Sequence, residues 1–149
     1  MASELLKRSE VKEENTWNVK DMYATQEEWE KELKDISEII DRVAAFEGKA
    51  AENAQNLFAV LENLAKAGEK LDKAYNYAER LFDEDQTNTT HQAMSAKAYS
   101  AYASCGSKTA FVDPEIIAIP ENVLETFYKE VPGLELYRKQ IAEIRRMKE

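Results

Sequence analysis

The amino-acid sequence predicts an all-α fold, an antiparallel helical bundle of about five or six helices with an extended N-terminal arm. Three observations carry this reading. Only 4 glycines and 3 prolines occur in 149 residues, while Ala, Glu, Lys and Leu, all good helix formers, abound. Apolar residues recur at spacings of three and four over long stretches. Cap and turn residues stand where the ends of such helices require them. A chain of this length suits one domain with a real core.

The stretch from Leu64 to Asn88 organises the rest. Leu64, Gly68, Leu71, Tyr75, Ala78 and Phe82 are spaced to share one helical face, and Glu69 precedes Lys73 by four residues in the favourable order. The run closes in Asp83-Glu84-Asp85-Gln86-Thr87-Asn88, a turn and cap sequence. A helix with one apolar stripe needs partners on that side.

Taken in order, residues 1–24 read as the arm, pinned to the bundle by Trp17, Val19, Met22 and Tyr23. Residues 25–112 read as the helical bundle. Thr25 and Glu28 form a capping box, and Trp29, Leu33, Ile36, Ile40 and Val43 make the stripe of a helix running to about Ala45, with Gly48 placed to end it. Asn53 caps the next segment, whose apolar positions are Leu57, Phe58, Leu61 and Leu64. A short turn near Ala67-Gly68 is expected to separate it from the central helix. Thr89 or Thr90 opens a segment to about Val112, so rich in small residues that it should be largely surrounded. Asp113-Pro114 should stop it.

Residues 113–149 read as a connecting segment and last helices. Ile116, Ile117 and Ile119 form an apolar link. Pro120-Glu121-Asn122 starts a short helix with Val123, Leu124 and Phe127. Pro132 opens a final helix carrying Leu136, Tyr137, Ile141 and Ile144 on one face. That helix reaches Glu149 without a cap or a glycine, which predicts a chain cut short.

Charge and composition exclude several classes. The net charge is −9, with acids and bases interleaved, a surface that repels phosphate backbones and makes nucleic acid a poor partner. No apolar run is long enough to span a bilayer, and residues 1–10 lack the apolar centre of a secretory signal. One cysteine, Cys105, rules out an internal disulfide framework and fits a reducing compartment. The expectation is a cytoplasmic protein that binds neither nucleic acid nor membrane.

No catalytic, cofactor-binding or metal-binding residue emerges. The single histidine, His91, has no second His or Cys at zinc-ligand spacing, and reads as a surface or interhelix hydrogen-bonding group. Cys105 reads as an inert thiol on a crowded helix. Asp83, Glu84 and Asp85 with Asn88 raise the question of a cation. They lack the alternating ligands, central glycine and final Glu of a calcium loop, and read better as the signal that begins the next helix. There is no glycine-rich phosphate loop and no serine nucleophile elbow.

Several segments, in order, resemble the N-terminal region of the oligoendopeptidase F family, zinc metallopeptidases of the thimet oligopeptidase type. They are Lys7-Arg8-Ser9-Glu10-Val11, Thr16-Trp17-Asn18-Val19-Lys20-Asp21-Met22-Tyr23, Trp29, Phe46-Glu47-Gly48-Lys49 and Tyr75-Asn76-Tyr77-Ala78. Asp83–Asn88, Phe111-Val112-Asp113-Pro114-Glu115-Ile116 and Ile119-Pro120 complete the set. The resemblance implies a longer, nearly all-helical enzyme that cleaves short peptides in a deep channel. Its zinc, bound by an HExxH helix and a further glutamate, lies beyond the equivalent of Glu149; neither HExxH nor any such role falls on this sequence. The chain then resembles a non-catalytic part of the channel wall, its partners the missing catalytic domain and, for the parent enzyme, oligopeptide substrates. An apolar patch left bare on Asn122–Phe127 and Leu136–Ile144 would favour self-association. The alternative is a freestanding helical interaction module without enzymatic activity.

Overall fold

A computed structural model describes residues 6–147; the N-terminal pentapeptide and the last two residues lie outside the described residues. Six helices follow one another: α1 (Gln26–Ala44), α2 (Ala54–Glu84), α3 (Thr89–Thr109), α4 (Val112–Ala118), α5 (Glu121–Glu130) and α6 (Arg138–Arg146). No strand occurs among the described residues. Three 3-10 turns, at Arg8–Glu10, Glu13–Asn15 and Val19–Asp21, form the arm, and another at Pro132–Tyr137 leads into α6.

Local chemistry explains most of these boundaries. The Thr25 side chain accepts the Glu28 N–H at 3.2 Å, while the Glu28 carboxylate reaches one residue past the expected partner, to the Ala24 N–H at 3.0 Å. The Asn53 side chain accepts from Asn56 N–H at 2.8 Å, and Asn88 accepts from Thr90 and His91. Gly48, at φ 75°, is the positive-φ residue of the α1–α2 turn, a conformation that costs any other residue a Cβ clash.

The 31-residue α2 is the shared spine of two apolar clusters. Its first half packs with Val43, Ile116, Leu124, Phe127, Leu134, Ile141 and Ile144. Its second half packs with Tyr23, Trp29, Leu33, Ile36, Ile40, Met94 and Ala98. Leu64 packs against both clusters. The short α2–α3 connection makes these two helices antiparallel neighbours, and α1 covers both of them.

Several expectations are corrected. No turn interrupts the chain at Ala67-Gly68; α2 is continuous, and a Cβ on Gly68 would meet nothing within 4 Å, so that glycine marks neither a break nor a close contact. One glycine costs only about 1 kcal/mol in a helix, which the packing of a long amphipathic face outweighs. The buried face of α2 runs through Ala67, Leu71, Ala74, Tyr77 and Ala78, with Tyr75 and Phe82 half-buried at its flank. The alanines lie innermost because they let neighbouring backbones approach.

Helix α3 ends at Thr109 rather than near Val112, and Asp113-Pro114 lies inside α4 instead of stopping a helix. Proline is tolerated there because first-turn N–H groups have no intrahelical acceptor. Ile116 and Ile117 of the expected apolar link therefore belong to a helix, with Ile119 just past its end. After Pro132 the chain takes a 3-10 turn, in which Leu134 is buried while Leu136 is 84 % exposed, so Leu136 does not share the inward face of Ile141 and Ile144. Helix α6 ends at Arg146; the expected continuation to Glu149 falls outside the described residues at its last two positions.

Candidate functional site

The residues singled out in the sequence prove to be joints of the fold. Asp83 and Glu84 are the last residues of α2, where negative charge opposes the helix dipole. Each has a cation: Arg80 lies 3.2 Å from Asp83, and Arg8 of the arm 3.3 Å from Glu84. Asp85 accepts from the Thr87 hydroxyl at 2.6 Å and the Thr87 N–H at 3.0 Å. Those bonds, led by the hydroxyl, hold its carboxyl below the usual aspartate range. Asn88 is the cap of α3. The acidic turn is thus a worked connection between two helices, although the second Glu84 oxygen, Oε1, is buried without a partner.

A cleft of about 360 Å³ lies between this turn and the arm, lined by Arg8, Val11, Thr16, Trp17, Val19 and Glu84. The Arg80 guanidinium stacks over the Trp17 ring, 4.6 Å from its centroid. Trp17 is otherwise 63 % exposed, whereas Tyr23 is buried, with Tyr77 edge-on at 5.1 Å and the Lys73 ammonium 4.5 Å from its ring centroid. Burial, and secondarily Glu32, pushes the Tyr23 hydroxyl well above the usual tyrosine range. The arm is held by these contacts and by the Arg8–Glu84 pair. They make a mechanical attachment, with no nucleophile beside a base.

His91 stands in the first turn of α3, its Nδ1 buried without a protein partner. Cys105 is half-buried, and burial pushes its thiol up, against a smaller opposing pull from Lys108. Among the described residues no three of His, Cys, Asp and Glu stand together where an ion could be held. The donors present do not fit a zinc centre.

Two further joints have no signature in the sequence. Glu115 of α4 accepts from the Gly48 N–H at 2.6 Å and the Ala50 N–H at 2.8 Å, fastening α4 to the α1–α2 turn. Arg145 of α6 donates to the carbonyls of Ile116 and Ile119 and to the Glu121 carboxylate, at 2.9 Å in the last case. Its guanidinium thereby gives the Ile119 carbonyl a donor and adds a second one to the Ile116 carbonyl, which already accepts the Ile119 N–H. Pairs that close across 24 to 67 residues have no fixed spacing for a sequence reading to find.

The outer surface of α3 is unlike the other long helices. Expected to be surrounded, the helix buries only Met94 and Ala98 within this chain. Ala96, Tyr99, Ser100, Tyr102, Ala103 and Gly106 are exposed, Tyr99 by 65 % and Tyr102 by 55 %. A groove of about 590 Å³ runs beside it, lined in part by Tyr75, Phe82 and Tyr99. The last helices, where an apolar patch was expected, instead bury Leu124, Phe127, Ile141 and Ile144, leaving Leu136 and Met147 as their exposed large apolar side chains.

Fold and site together define a helical scaffold whose polar groups serve its joints. A family model described as Oligopeptidase F matches residues 115–149. The chain is 37 % identical over 143 residues to oligopeptidase PepF of Bacillus subtilis, covering 96 % of this chain and 21 % of that protein. It is 31 % identical over 130 residues to group B oligopeptidase PepB of Streptococcus agalactiae, covering 87 % and 22 % respectively. The crystal structure of oligoendopeptidase-F from Enterococcus faecium superposes with a TM-score of 0.72 at 25 % identity, over 80 % of this chain and 24 % of that one. A putative peptidase from Chlamydophila abortus shares the fold, with a TM-score of 0.83 at 23 % identity, over 96 % of this chain and 24 % of that one. These matches make the chain correspond to the N-terminal region of oligoendopeptidase F. It spans about a fifth of the length of the curated relatives it matches.

No helix among the described residues is long and apolar enough to cross a membrane.

Proposed function

We propose that this chain is the non-catalytic helical N-terminal part of a zinc metalloendopeptidase that hydrolyses short peptides, and that it forms part of the wall of the substrate channel. The observation that carries the reading is the match over 96 % of this chain to only 21 % of an oligopeptidase. A second support is the two-cluster build around α2, which gives a stiff wall element rather than a hinged lid. The zinc and the residues that hold it belong, in this reading, to the part of the relatives' length that this chain does not span. When bound there, zinc would polarise the scissile carbonyl and activate water. The role of the present residues is to shape and stiffen.

The test is hydrolysis of a quenched fluorescent oligopeptide, with zinc supplied, by this chain and by the longer polypeptide encoded by its reading frame. Cleavage by the longer polypeptide and none by the 149-residue chain is the expected pair of results. Turnover that follows the purified 149-residue chain through repeated chromatography would overturn the proposal.

A further inference from the structure

We infer that the outer face of α3 is a docking surface for a helix of the same longer polypeptide, one presenting a small or apolar face; this rests on the function proposed above. One third of all residues are charged, yet the 21 residues of α3 contain no acid and only two lysines. Both lysines are already engaged by α1, Lys97 with Glu30 at 3.3 Å and Lys108 with Asp41 at 2.5 Å. Between them the exposed face is Tyr99, Ser100, Tyr102, Ala103 and Gly106, without a free charge.

A helix apolar or small on every side belongs in an interior, because water-facing helices carry charge on their outer side. Small side chains let a second backbone come close, and tyrosines beside them supply contact area at low entropic cost. The neighbouring groove continues this surface onto α2 with Tyr75 and Phe82, and its one acid, Glu79, accepts from the Ser95 hydroxyl of α3 at 2.5 Å. Nothing among the described residues covers this surface, and this chain covers only 24 % of the length of the two structures named above. The occupant is therefore sought in the remainder. A second copy of this chain is the poorer fit, since each copy carries a net charge of −9.

The experiment compares Ala103→Glu in the 149-residue chain and in the longer polypeptide. Ala103 is exposed and outside both apolar clusters, so the short chain should keep its melting temperature within about 2 °C. In the longer polypeptide the same substitution should lower the melting temperature by more than about 4 °C and speed amide exchange along α3. Equal small effects in both overturn the docking while leaving the proposed function intact. A short chain that is dimeric, and becomes monomeric on Ala103→Glu, gives the face to a second copy and also overturns it. A reading frame that stops directly after Glu149 removes the proposed function and the docking partner together.

Discussion

The two carboxylate oxygens of Glu115 accept the backbone N–H groups of Gly48 and Ala50, at 2.6 and 2.8 Å, across more than sixty residues. The turn between α1 and α2 is thereby tied to α4. Ala50 is fully buried in the apolar cluster beneath, so the bond fixes a loop that enters that cluster. Glu115→Gln keeps one acceptor but turns an N–H₂ toward the second donor. It should cost about 1–2 kcal/mol, read as a melting temperature lower by about 2–8 °C. An unchanged melting curve would show the bond to be idle.

Two glycines give opposite signs to the same substitution. Gly68→Ala adds a Cβ into open space in the middle of α2, and should stabilise by about 0.5–1 kcal/mol through lower chain entropy in the unfolded state. Gly133→Ala places its Cβ 2.8 Å from the Phe58 ring, which already packs edge-on against Tyr137. That overpacking should destabilise by about 1–3 kcal/mol. Urea denaturation of the two variants beside the parent decides; matching signs would refute the placement of α2 against the turn that leads into α6.

Trp29 joins α1 to α2 through its indole, whose Nε1–H donates to the Ala74 carbonyl at 2.8 Å in a fully buried setting. Trp29→Phe removes that bond and leaves unfilled volume, and should cost about 2–3 kcal/mol. Its emission should be the blue, quencher-shielded component of the native spectrum, with exposed Trp17 supplying the red one. Acrylamide quenching of the two single-tryptophan variants separates them.

Arg138 lies between Glu125 and Glu135, at 2.8 Å from each, with its guanidinium 3.8 Å from the centroid of the Tyr128 ring. Hydrogen bonds from Arg138 hold both carboxyls below the usual glutamate range. Depressed folded-state values mean that the stabilisation is present above the unfolded glutamate pKa, near 4.3, and is lost as pH falls through the folded values. NMR titration should show both carboxyls moving up toward the ordinary range in Arg138→Gln. Midpoints that stay low would assign the depression to something other than Arg138.

How far the fold could be read from residues depended on how local each cause was. The Thr25 and Asn53 caps, the Trp29–Val43 stripe and the start at Pro120 rest on contacts within a turn or two, and all stand in the structure. On α2 the spacing places Leu71 and Ala78 on the buried face as the structure does, but it adds Tyr75 and Phe82, which are half-buried, and passes over Ala67, Ala74 and Tyr77, which close approach to α1 and α3 buries. Gly68 and Pro114 read as breakers in the sequence, but tertiary packing overrides the first and first-turn geometry excuses the second. The small residues of α3 read as those of a surrounded helix, but among the described residues only Met94 and Ala98 of that helix are buried.

The joints were the least legible part. Glu115, Arg145, Arg8 and Arg80 look in sequence like any other charges on helices. Only the fold brings Glu115 to Gly48, Arg145 to Ile119 and Arg8 to Glu84.

The most direct test of the central claim, that this chain is the helical N-terminal part of a zinc oligopeptidase, is to read the coding DNA downstream of Glu149. The account predicts an open frame that continues into an HExxH helix. A stop codon directly after Glu149 would contradict it, and would leave the uncharged face of α3 to be explained by a separate protein partner.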